Sequence, residues 1–259
     1  MDMGIKGKTA LVCASSKGLG RGCAEALAGE GVNLIINARS NGPLEEAAKY
    51  IRDTYAVHVT AFAADITEEE GRAKVLAAAG DVDILVTNAG GPPPGSWRDW
   101  NRNDFITALD ANMLSPIALI QSVLPSMIEG GWGRIVNITS MSVKAPVPGL
   151  GLSNSARSGL TGFVAGTARE VAHTGVTINN LQPGFHKTDR SLALDTAAAN
   201  AENSKLEEIM KRRFQTIPAG RYGTISEFGS LCAFLCSVHA GFIIGQNILL
   251  DGGAVNSTM

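Results

Sequence analysis

The chain has little net charge, few cysteines and no long apolar run. Its 259 residues include 22 Lys and Arg against 24 Asp and Glu, which leaves a formal charge of −2. This balance gives no reason to expect nucleic acid or an anionic membrane surface as a partner. The longest apolar stretches, such as residues 34–36 and 248–250, are too short to span a bilayer. Because the first residues show no signal-peptide pattern, we expect a cytoplasmic protein.

The cysteine pattern excludes two kinds of site. Cys13, Cys23, Cys232 and Cys236 contain no CxxC pair and have no histidine cluster near them, so neither a metal site nor a disulfide framework is indicated. Cys232 and Cys236 lie one helical turn apart among apolar residues, which is typical of core packing. We therefore expect four small buried thiols.

What the chain does have is a strand, a glycine turn and a helix in succession. Residues 9–13 form an apolar β-type run, and helix-compatible sequence follows over 19–29. Gly18, Gly20 and Gly22 lack a Cβ, so this turn can adopt positive φ and bring backbone N–H groups close to an anion at the positive end of the helix. The same glycine spacing also occurs in a tight turn that packs against a neighbouring helix, so the surrounding strand and helix must decide between an anion site and a packing turn.

Short apolar strands alternate with helices along the rest of the chain. Further strands are predicted at 32–37, 57–62, 84–87, 133–139, 176–181 and 247–250. Helices are predicted at 43–55, 67–79, 103–129 with breaks at Pro116 and Pro125, 151–173 and 224–238. Residues 184–214 predict a loop with a charged helix near 203–213. Because parallel neighbours need crossover connections, seven such strands predict an α/β fold with a doubly wound parallel sheet of the Rossmann type, in a single domain.

The unusual residues follow the strands, where such sheets bind their ligands. The glycine turn follows the first strand, and the corresponding residues after the next five are Arg39, Asp65, Asn88, Ser140 and residues 183–184. Their common position at the carboxyl ends of the strands indicates a ligand-binding crevice more strongly than any one motif does.

With these residues the chain resembles the short-chain dehydrogenase/reductase family, and within it the 3-oxoacyl-carrier-protein reductase-like members, over essentially its full length. The matching positions are 15–20, Asp65, 88–90, Asn112, Ser140, 183–184 and 251–253. The resemblance implies a nicotinamide cofactor in the crevice and hydride transfer to or from a carbonyl carbon. With the residue chemistry below, it predicts the following cofactor-binding residues: Ser15, Ser16, Lys17, Gly18, Leu19, Gly20, Arg39, Asp65, Ile66, Asn88, Ala89, Gly90, Pro183, Gly184 and Thr188.

Two cations favour NADP(H) over NAD(H). Lys17 and Arg39 stand where positive charge can meet a phosphate on the adenosine ribose, and Ala38 stands where an NAD site would have an acidic residue. The alternative is that both cations are solvated surface residues. Asp65 would accept from the adenine amine, although it could equally cap a helix that starts near Thr67.

Three positions depart from the family pattern. Ala14 replaces the first glycine of the turn and adds a methyl group, for which we expect tolerable crowding. Ser153 and Arg157 stand where the family has its tyrosine and lysine, so the usual general acid is absent. Such a loss typically removes on the order of 10²–10⁴ in rate. Arg157 can still bond ribose hydroxyls but will not release a proton, so binding should survive better than chemistry.

The predicted reaction centre contains Ser140, Asn112, Ser153 and Arg157. His186 is the hypothetical substitute proton donor, because the resemblance puts it beside the nicotinamide; a hydrogen-bonding or surface role is the alternative. Lys144 is a second candidate and is equally compatible with an exposed loop. No metal is predicted.

Two functions follow. The first is an NADP-dependent oxidoreductase acting on a carbonyl or alcohol substrate, with an acyl thioester among the candidates. The second is a nucleotide-binding sensor or assembly protein that has lost turnover. Loss of nicotinamide binding altogether is a weaker third possibility.

The sequence also suggests a substrate lid and a subunit interface. Residues 185–214 would form the lid, where the basic run 211–213 either attracts an anionic carrier or is the solvated face of a helix. Ala156, Gly159, Gly162 and Gly166 form a small-residue helix face that suits a dimer interface, or simply packs on the sheet. The resemblance implies a homotetramer or homodimer.

Overall fold

Seven parallel strands form one sheet in residues 1–257, the part of the chain that the computed structural model describes. The strands are β1 (Thr9–Val12), β2 (Asn33–Ala38), β3 (Val59–Ala63), β4 (Ile84–Thr87), β5 (Gly133–Ile138), β6 (Val176–Pro183) and β7 (Asn247–Leu250). Their order is β3-β2-β1-β4-β5-β6-β7, and every neighbouring pair is parallel. The doubly wound α/β fold is therefore confirmed, with strand bounds within two residues of those predicted.

Helices cover both faces of this sheet. They are α1 (Gly18–Gly29), α2 (Asn41–Tyr55), α3 (Glu69–Ala79), α4 (Arg102–Leu109), α5 (Ser115–Glu129), α6 (Gly151–Val171), α7 (Asp189–Glu202), α8 (Leu206–Gln215) and α9 (Ile225–Leu235). One core cluster joins the sheet to α1, α2 and α9, and a second joins it to α3, α5 and α6. Successive β1 residues belong to opposite clusters, for example Leu11 and Val12, which explains why the central strands are apolar without alternation.

The segment 184–214 is more helical than its sequence pattern indicates. A loop was predicted for its first half, but α7 occupies 189–202 and α8 occupies 206–215. Thr188 and Ser191 form a capping box at the start of α7. This helix is rich in alanine and has no strong apolar stripe. Capping and the helix propensity of alanine favour it, and neither produces the apolar periodicity by which helices are predicted from sequence.

The predicted helix over 103–129 is interrupted, but not at its prolines. A π-helical turn, Asp110–Leu114, separates α4 from α5. Pro116 lies in the first turn of α5, where its missing N–H costs nothing, and Pro125 remains inside the helix. The prediction of breaks at the two prolines was therefore wrong. The π turn contains Asn112, and such turns often occur at functional sites.

Within residues 1–257, one helical run, Arg102–Glu129, is long and apolar enough to cross a membrane by length and composition alone. Leu119, Ile120 and Val123 of this run are buried in the core against the sheet. Core packing accounts for its apolar character. The four cysteines are free and buried, as expected, and the described residues contain no group of side chains that could hold a metal ion.

A buried polar ladder crosses four strands, from the carboxyl end of β4 to the first residue of β7. Thr87 Oγ1 donates to Asn137 Oδ1 (2.7 Å), Asn137 Nδ2 donates to Asn180 Oδ1 (3.2 Å), and Asn180 Nδ2 donates to Asn247 Oδ1 (2.8 Å). These residues are register partners on β4, β5, β6 and β7. The ladder satisfies side chains that would otherwise be costly to bury and ties the strands together below the candidate site.

Candidate active site

The glycine turn lies at the switch point of the sheet, between β1 and β4. Lys17 precedes α1 as its N-cap residue but makes no side-chain capping bond, so no side chain of residues 1–257 caps the first-turn N–H groups. Gly18 has a φ of +59°. A Cβ on Gly20 would lie 2.4 Å from the Ala14 carbonyl oxygen and 2.9 Å from Asn88 Nδ2. This cradle of uncapped donors and bare backbone fits a cofactor pyrophosphate.

The turn is supported from below by hydrogen bonds that sequence reasoning did not assign. The Ser15 hydroxyl donates to the Val12 carbonyl oxygen at 2.8 Å, and the Ser15 backbone N–H donates to the Asn37 carbonyl oxygen at 2.9 Å. Asn37 Nδ2 in turn donates to the carbonyl oxygens of Phe62 and Ala64. Ser15 is fully buried, so in this structure it positions the turn.

Ala14 adopts a φ of +47°, in the left-handed region that a side chain disfavours. The extra methyl group therefore introduces backbone strain, where only crowding was expected. Asn88 helps to hold this residue, because Asn88 Nδ2 donates to the Ala14 carbonyl oxygen across the switch point at 3.4 Å.

The two predicted phosphate-binding cations lie at the surface. Lys17 Nζ is 3.0 Å from Asp189 Oδ2, and both side chains are more than 70% exposed. Exposed pairs of this kind contribute about 0–1 kcal/mol, so this lysine can readily change partners. Arg39 is exposed and makes no ion pair with any residue in the range 1–257.

The loop after β3 is held in place from within. Asp65 Oδ1 accepts from the Thr67 backbone N–H (3.0 Å) and hydroxyl (2.8 Å). Because α3 begins at Glu69, this bond forms a local turn, and the predicted helix cap near Thr67 is wrong. Arg72 Nη1 donates to the carbonyl oxygens of Ile66 and Thr67, which fixes the loop against α3. The adenine-binding role of Asp65 stays a prediction.

Ser153 and Arg157 lie one turn apart on α6 and are hydrogen-bonded to each other. Arg157 Nε donates to Ser153 Oγ at 3.2 Å, and Arg157 Nη1 donates to the Ile138 carbonyl oxygen at the end of β5 at 2.8 Å. Both residues are only 8% exposed. Burial, and next the charge of Arg190, lowers the pKa of the Arg157 guanidinium to about 10, so it stays charged at neutral pH.

The other predicted reaction-centre residues lie on neighbouring elements. Ser140 follows β5, and its Oγ accepts from the Ser142 backbone N–H at 3.1 Å. Asn112 Nδ2 donates to the Gly90 carbonyl oxygen, which ties the π turn to the loop after β4. The Asn112 Oδ1 atom is buried and has no hydrogen-bond partner among the described residues.

His186 packs against α9 and the segment just before that helix. It is 3% exposed, its ring packs edge-on against Phe228, and its Nε2 would be 2.8 Å from a Cβ on Gly223. Burial lowers the pKa of this imidazole. Lys144 is exposed at the end of the short 3₁₀ turn after Ser140.

The loop after β6 crosses towards the glycine turn. A Cβ on Gly184 would lie 2.6 Å from the Asp251 Cα, so this glycine permits close packing at the end of β7. Thr188 caps α7, and its methyl carbon is 3.9 Å from the position of a Cβ on Gly18. The start of α7 therefore lies directly over the predicted phosphate site.

A buried group, here called the Asp195 cluster (Asp195, Arg213 and Tyr222), fixes α7 and α8 to the rest of the protein. Asp195 is 1% exposed; its Oδ1 is 2.6 Å from Arg213 Nε, and its Oδ2 accepts from the Tyr222 hydroxyl at 2.5 Å. Arg212 pairs with Glu202. Arg213 is thus held by a buried carboxylate, whereas the Arg212–Glu202 pair is exposed, so an anion-binding role for the run stays a prediction beside the solvated helix face.

Arg190 is a site residue that sequence reasoning missed. From the first turn of α7 its Nη2 donates to the Pro92 carbonyl oxygen at 2.7 Å, across the crevice. A Cβ on Gly91 would lie 3.3 Å from Arg190 Nη2 and 3.9 Å from Arg157 Nη2. No sequence pattern indicates this convergence, because residues 91, 157 and 190 come from three different loops and helices.

Comparisons with known proteins find relatives that match nearly the whole chain. A family model described as enoyl-(acyl carrier protein) reductase matches residues 13–255. The 3-oxoacyl-acyl-carrier-protein reductase FabG of Aquifex aeolicus is 32% identical over 257 residues, which are 98% of this chain and 99% of that protein. The acetoacetyl-CoA reductase of Cupriavidus necator is 30% identical, with 95% and 97% covered. The crystal structure of L-sorbose reductase from Gluconobacter frateurii, complexed with NADPH and L-sorbose, is 26% identical with a TM-score of 0.94, covering 99% and 100%.

A parallel sheet with a glycine turn at its switch point defines a nucleotide-binding oxidoreductase fold, and the matches cover nearly the whole chain. The chain belongs to the short-chain dehydrogenase/reductase family. Within that family it is 3-oxoacyl-acyl-carrier-protein reductase-like, and it is an NAD(P)-dependent enzyme.

Proposed function

We propose that the chain is an NADP-dependent oxidoreductase that interconverts a carbonyl and an alcohol. The observation that carries this proposal is the meeting of two half-sites at the carboxyl edge of the sheet. One is the uncapped start of α1, whose N–H groups would hold the pyrophosphate, and the other is the Ser153–Arg157 pair at the end of β5. Lys17 and Arg39 would bind the 2′-phosphate, since β2 is followed by a cation instead of an acid.

A bound nicotinamide supplies or accepts the hydride. Ser140 would polarise the substrate oxygen, and Arg157 would supply positive field beside it. The Ser153 hydroxyl accepts from Arg157 Nε, so its own proton is free to be donated to the substrate oxygen. An alkyl hydroxyl is a weaker acid than a phenol, so we expect slow proton transfer. Asn112, with an unpartnered Oδ1, would hold a relay water.

A second function, a nucleotide-binding sensor or assembly protein without turnover, is supported by the position of His186. Its Nε2 is buried against Gly223, so His186 is the weaker candidate for the missing proton donor. If the Ser153 hydroxyl is too weak an acid to replace a phenol, cofactor binding would persist without turnover.

We further propose a small carbonyl or alcohol as substrate, an acyl thioester included, with residues 185–214 as the lid above it. The relative from Cupriavidus necator is named for a thioester and the one from Gluconobacter frateurii for a sugar. These two names therefore support carbonyl–alcohol interconversion as the reaction class, but they do not favour one particular substrate.

We also propose a homotetramer or homodimer. On α6, Ala156 is buried in the core, whereas a Cβ on Gly162 or Gly166 would have no atom of the described residues within 4 Å. These two glycines therefore do not pack on the sheet. Together they leave part of α6 free for close approach by a second copy.

The test of this function compares the wild type with the double variant Ser153→Tyr, Arg157→Lys, which introduces the tyrosine and lysine that the family places there. Oxidation of NADPH is followed with ketones, quinones and 3-oxoacyl thioesters, and NADPH and NADH binding is measured by calorimetry. We expect slow turnover by the wild type, about 10²–10⁴ faster turnover by the double variant, and little change in NADPH affinity.

The control for cofactor choice is Arg39→Gln, which should weaken NADPH binding and leave NADH binding unchanged. Tight NADPH binding without turnover by either protein would favour the sensor function. No binding of NADPH or NADH at millimolar concentrations would overturn both functions.

A further inference from the structure

Arg157 and Arg190 bring two guanidinium groups together without a counter-ion. Both Nη2 atoms lie within 4 Å of the one point that a Cβ on Gly91 would occupy. Neither side chain forms an ion pair with any residue in the described part of the chain. Arg190 is exposed, whereas Arg157 is only 8% exposed, so the cost of an unpaired buried charge falls on Arg157, and the nearby charge of Arg190 adds repulsion to it. An anion between the two guanidinium groups would offset both costs.

The hydrogen bonds of the pair leave donors unused. Arg157 uses Nε and Nη1 on Ser153 and Ile138, and Arg190 uses Nη2 on the Pro92 carbonyl oxygen. Arg157 Nη2 and the Nε and Nη1 of Arg190 have no hydrogen-bond partner within residues 1–257. A guanidinium presents its donors in a planar fork that matches a carboxylate.

Gly91 makes room for this convergence. A Cβ there would lie 3.3 Å from Arg190 Nη2, so the tip of this arginine would have to shift by a few tenths of an ångström. The next three residues, 92–94, are prolines and have carbonyl acceptors but no N–H groups. The loop can therefore orient the arginines through its carbonyl groups, while an anion must take its hydrogen bonds from the arginines themselves.

We propose that Arg157 and Arg190 together bind a carboxylate group of the substrate, so that the substrate is an oxo acid or hydroxy acid. This inference rests on the proposed oxidoreductase function, because the same Arg157 is bonded to Ser153 at the reaction centre. The carboxylate must then lie only a few bonds from the carbonyl carbon. Phosphate groups of the cofactor are a different source of negative charge, but their donors lie at the start of α1, beside Gly18 and Gly20.

Binding of paired probes tests the proposal without requiring turnover. The probes are 2-oxobutanoate, acetoacetate and 4-oxopentanoate, each with its methyl ester, together with acetoacetyl-CoA. Binding to the NADPH-saturated wild type is measured by calorimetry. We expect at least one acid to bind about tenfold or more tightly than its ester, which is the scale of one charge-assisted hydrogen bond.

Variants of Arg190 locate the effect. Arg190→Gln can still donate to the Pro92 carbonyl oxygen but lacks the charge, so the preference for acid over ester should fall towards one. Arg190→Lys should retain part of it. The matched control is Arg102→Gln, which removes one exposed charge from the start of α4 and should leave the preference unchanged.

The remaining outcomes overturn the proposal. Equal binding of acids and esters by the wild type would overturn it, as would preferred binding of acetoacetyl-CoA. If Arg190→Gln weakens NADPH binding and leaves the acid preference intact, the pair serves the cofactor and the proposal is wrong. Turnover of a neutral ketone without any acid preference would leave the oxidoreductase function standing and reject only the carboxylate site. The wild-type comparison of acids with esters decides the question even if a variant fails to fold.

Discussion

Substitution of Asp195 by asparagine should loosen the attachment of α7 and α8. The asparagine side chain keeps the shape of Asp195 but lacks its negative charge. In the wild type, Asp195 Oδ1 lies 2.6 Å from Arg213 Nε and Asp195 Oδ2 accepts from the Tyr222 hydroxyl at 2.5 Å. Removing one partner of a buried ion pair costs about 3–5 kcal/mol. Because the Arg213 side chain is 24% exposed and so partly hydrated, we expect a loss below that range, about 2–3 kcal/mol.

A double-mutant cycle separates the contributions within the Asp195 cluster. Tyr222→Phe removes a hydrogen bond to a charged acceptor and should cost about 1.5–2 kcal/mol. Because Asp195→Asn weakens the same hydrogen bond that Tyr222→Phe removes, the double variant should be less destabilised than the sum by about 1 kcal/mol. Urea unfolding of the full chain gives the three free energies, and amide hydrogen exchange in α7 against β5 shows whether the loss is local.

Two results would refute this reasoning. One is an Asp195→Asn variant destabilised by less than about 0.5 kcal/mol, because a buried carboxylate with two partners cannot be lost so cheaply. The other is strict additivity in the cycle, which would mean that the two side chains do not share a bond. Faster exchange confined to α7 and α8 would instead confirm that the cluster holds these helices as a separate unit.

Two further predictions concern pH and the glycine turn. Burial, and next the bond to Asp195, raises the pKa of Tyr222, so the native state keeps this proton at a pH where the unfolded chain loses it. The free energy of unfolding of the wild type should therefore decrease above about pH 10, and it should decrease less in Tyr222→Phe. Equal pH slopes for the two proteins in urea unfolding would contradict this prediction. Gly20→Ala should destabilise the fold by about 1–3 kcal/mol and weaken NADPH binding, because its Cβ would lie 2.4 Å from the Ala14 carbonyl oxygen. The control is Gly42→Ala, whose Cβ would have no atom of the described residues within 4 Å. It should be neutral or stabilising when both variants are measured by calorimetry and urea unfolding.

The predicted strands and glycine turn depended on short-range chemistry. Apolar runs such as 84–87 are strands because both faces of a central parallel strand are buried, and the bounds of β4 and β7 match the prediction to the residue. The helix α7 was missed for a related reason: its stability comes from a capping box and alanine propensity, and neither produces the apolar periodicity that signals a buried face.

The candidate site divides in the same way. The sequence by itself determined the fold class and the order of residues along the carboxyl edge, because strand pattern and residue chemistry are local properties. Only the tertiary structure decided that His186 is buried against Phe228, that Lys17 faces Asp189, and that Arg190 meets Arg157 over Gly91. These contacts join segments separated by 33 or more positions, and their geometry depends on how the packed sheet and helices orient each loop, which no local pattern encodes.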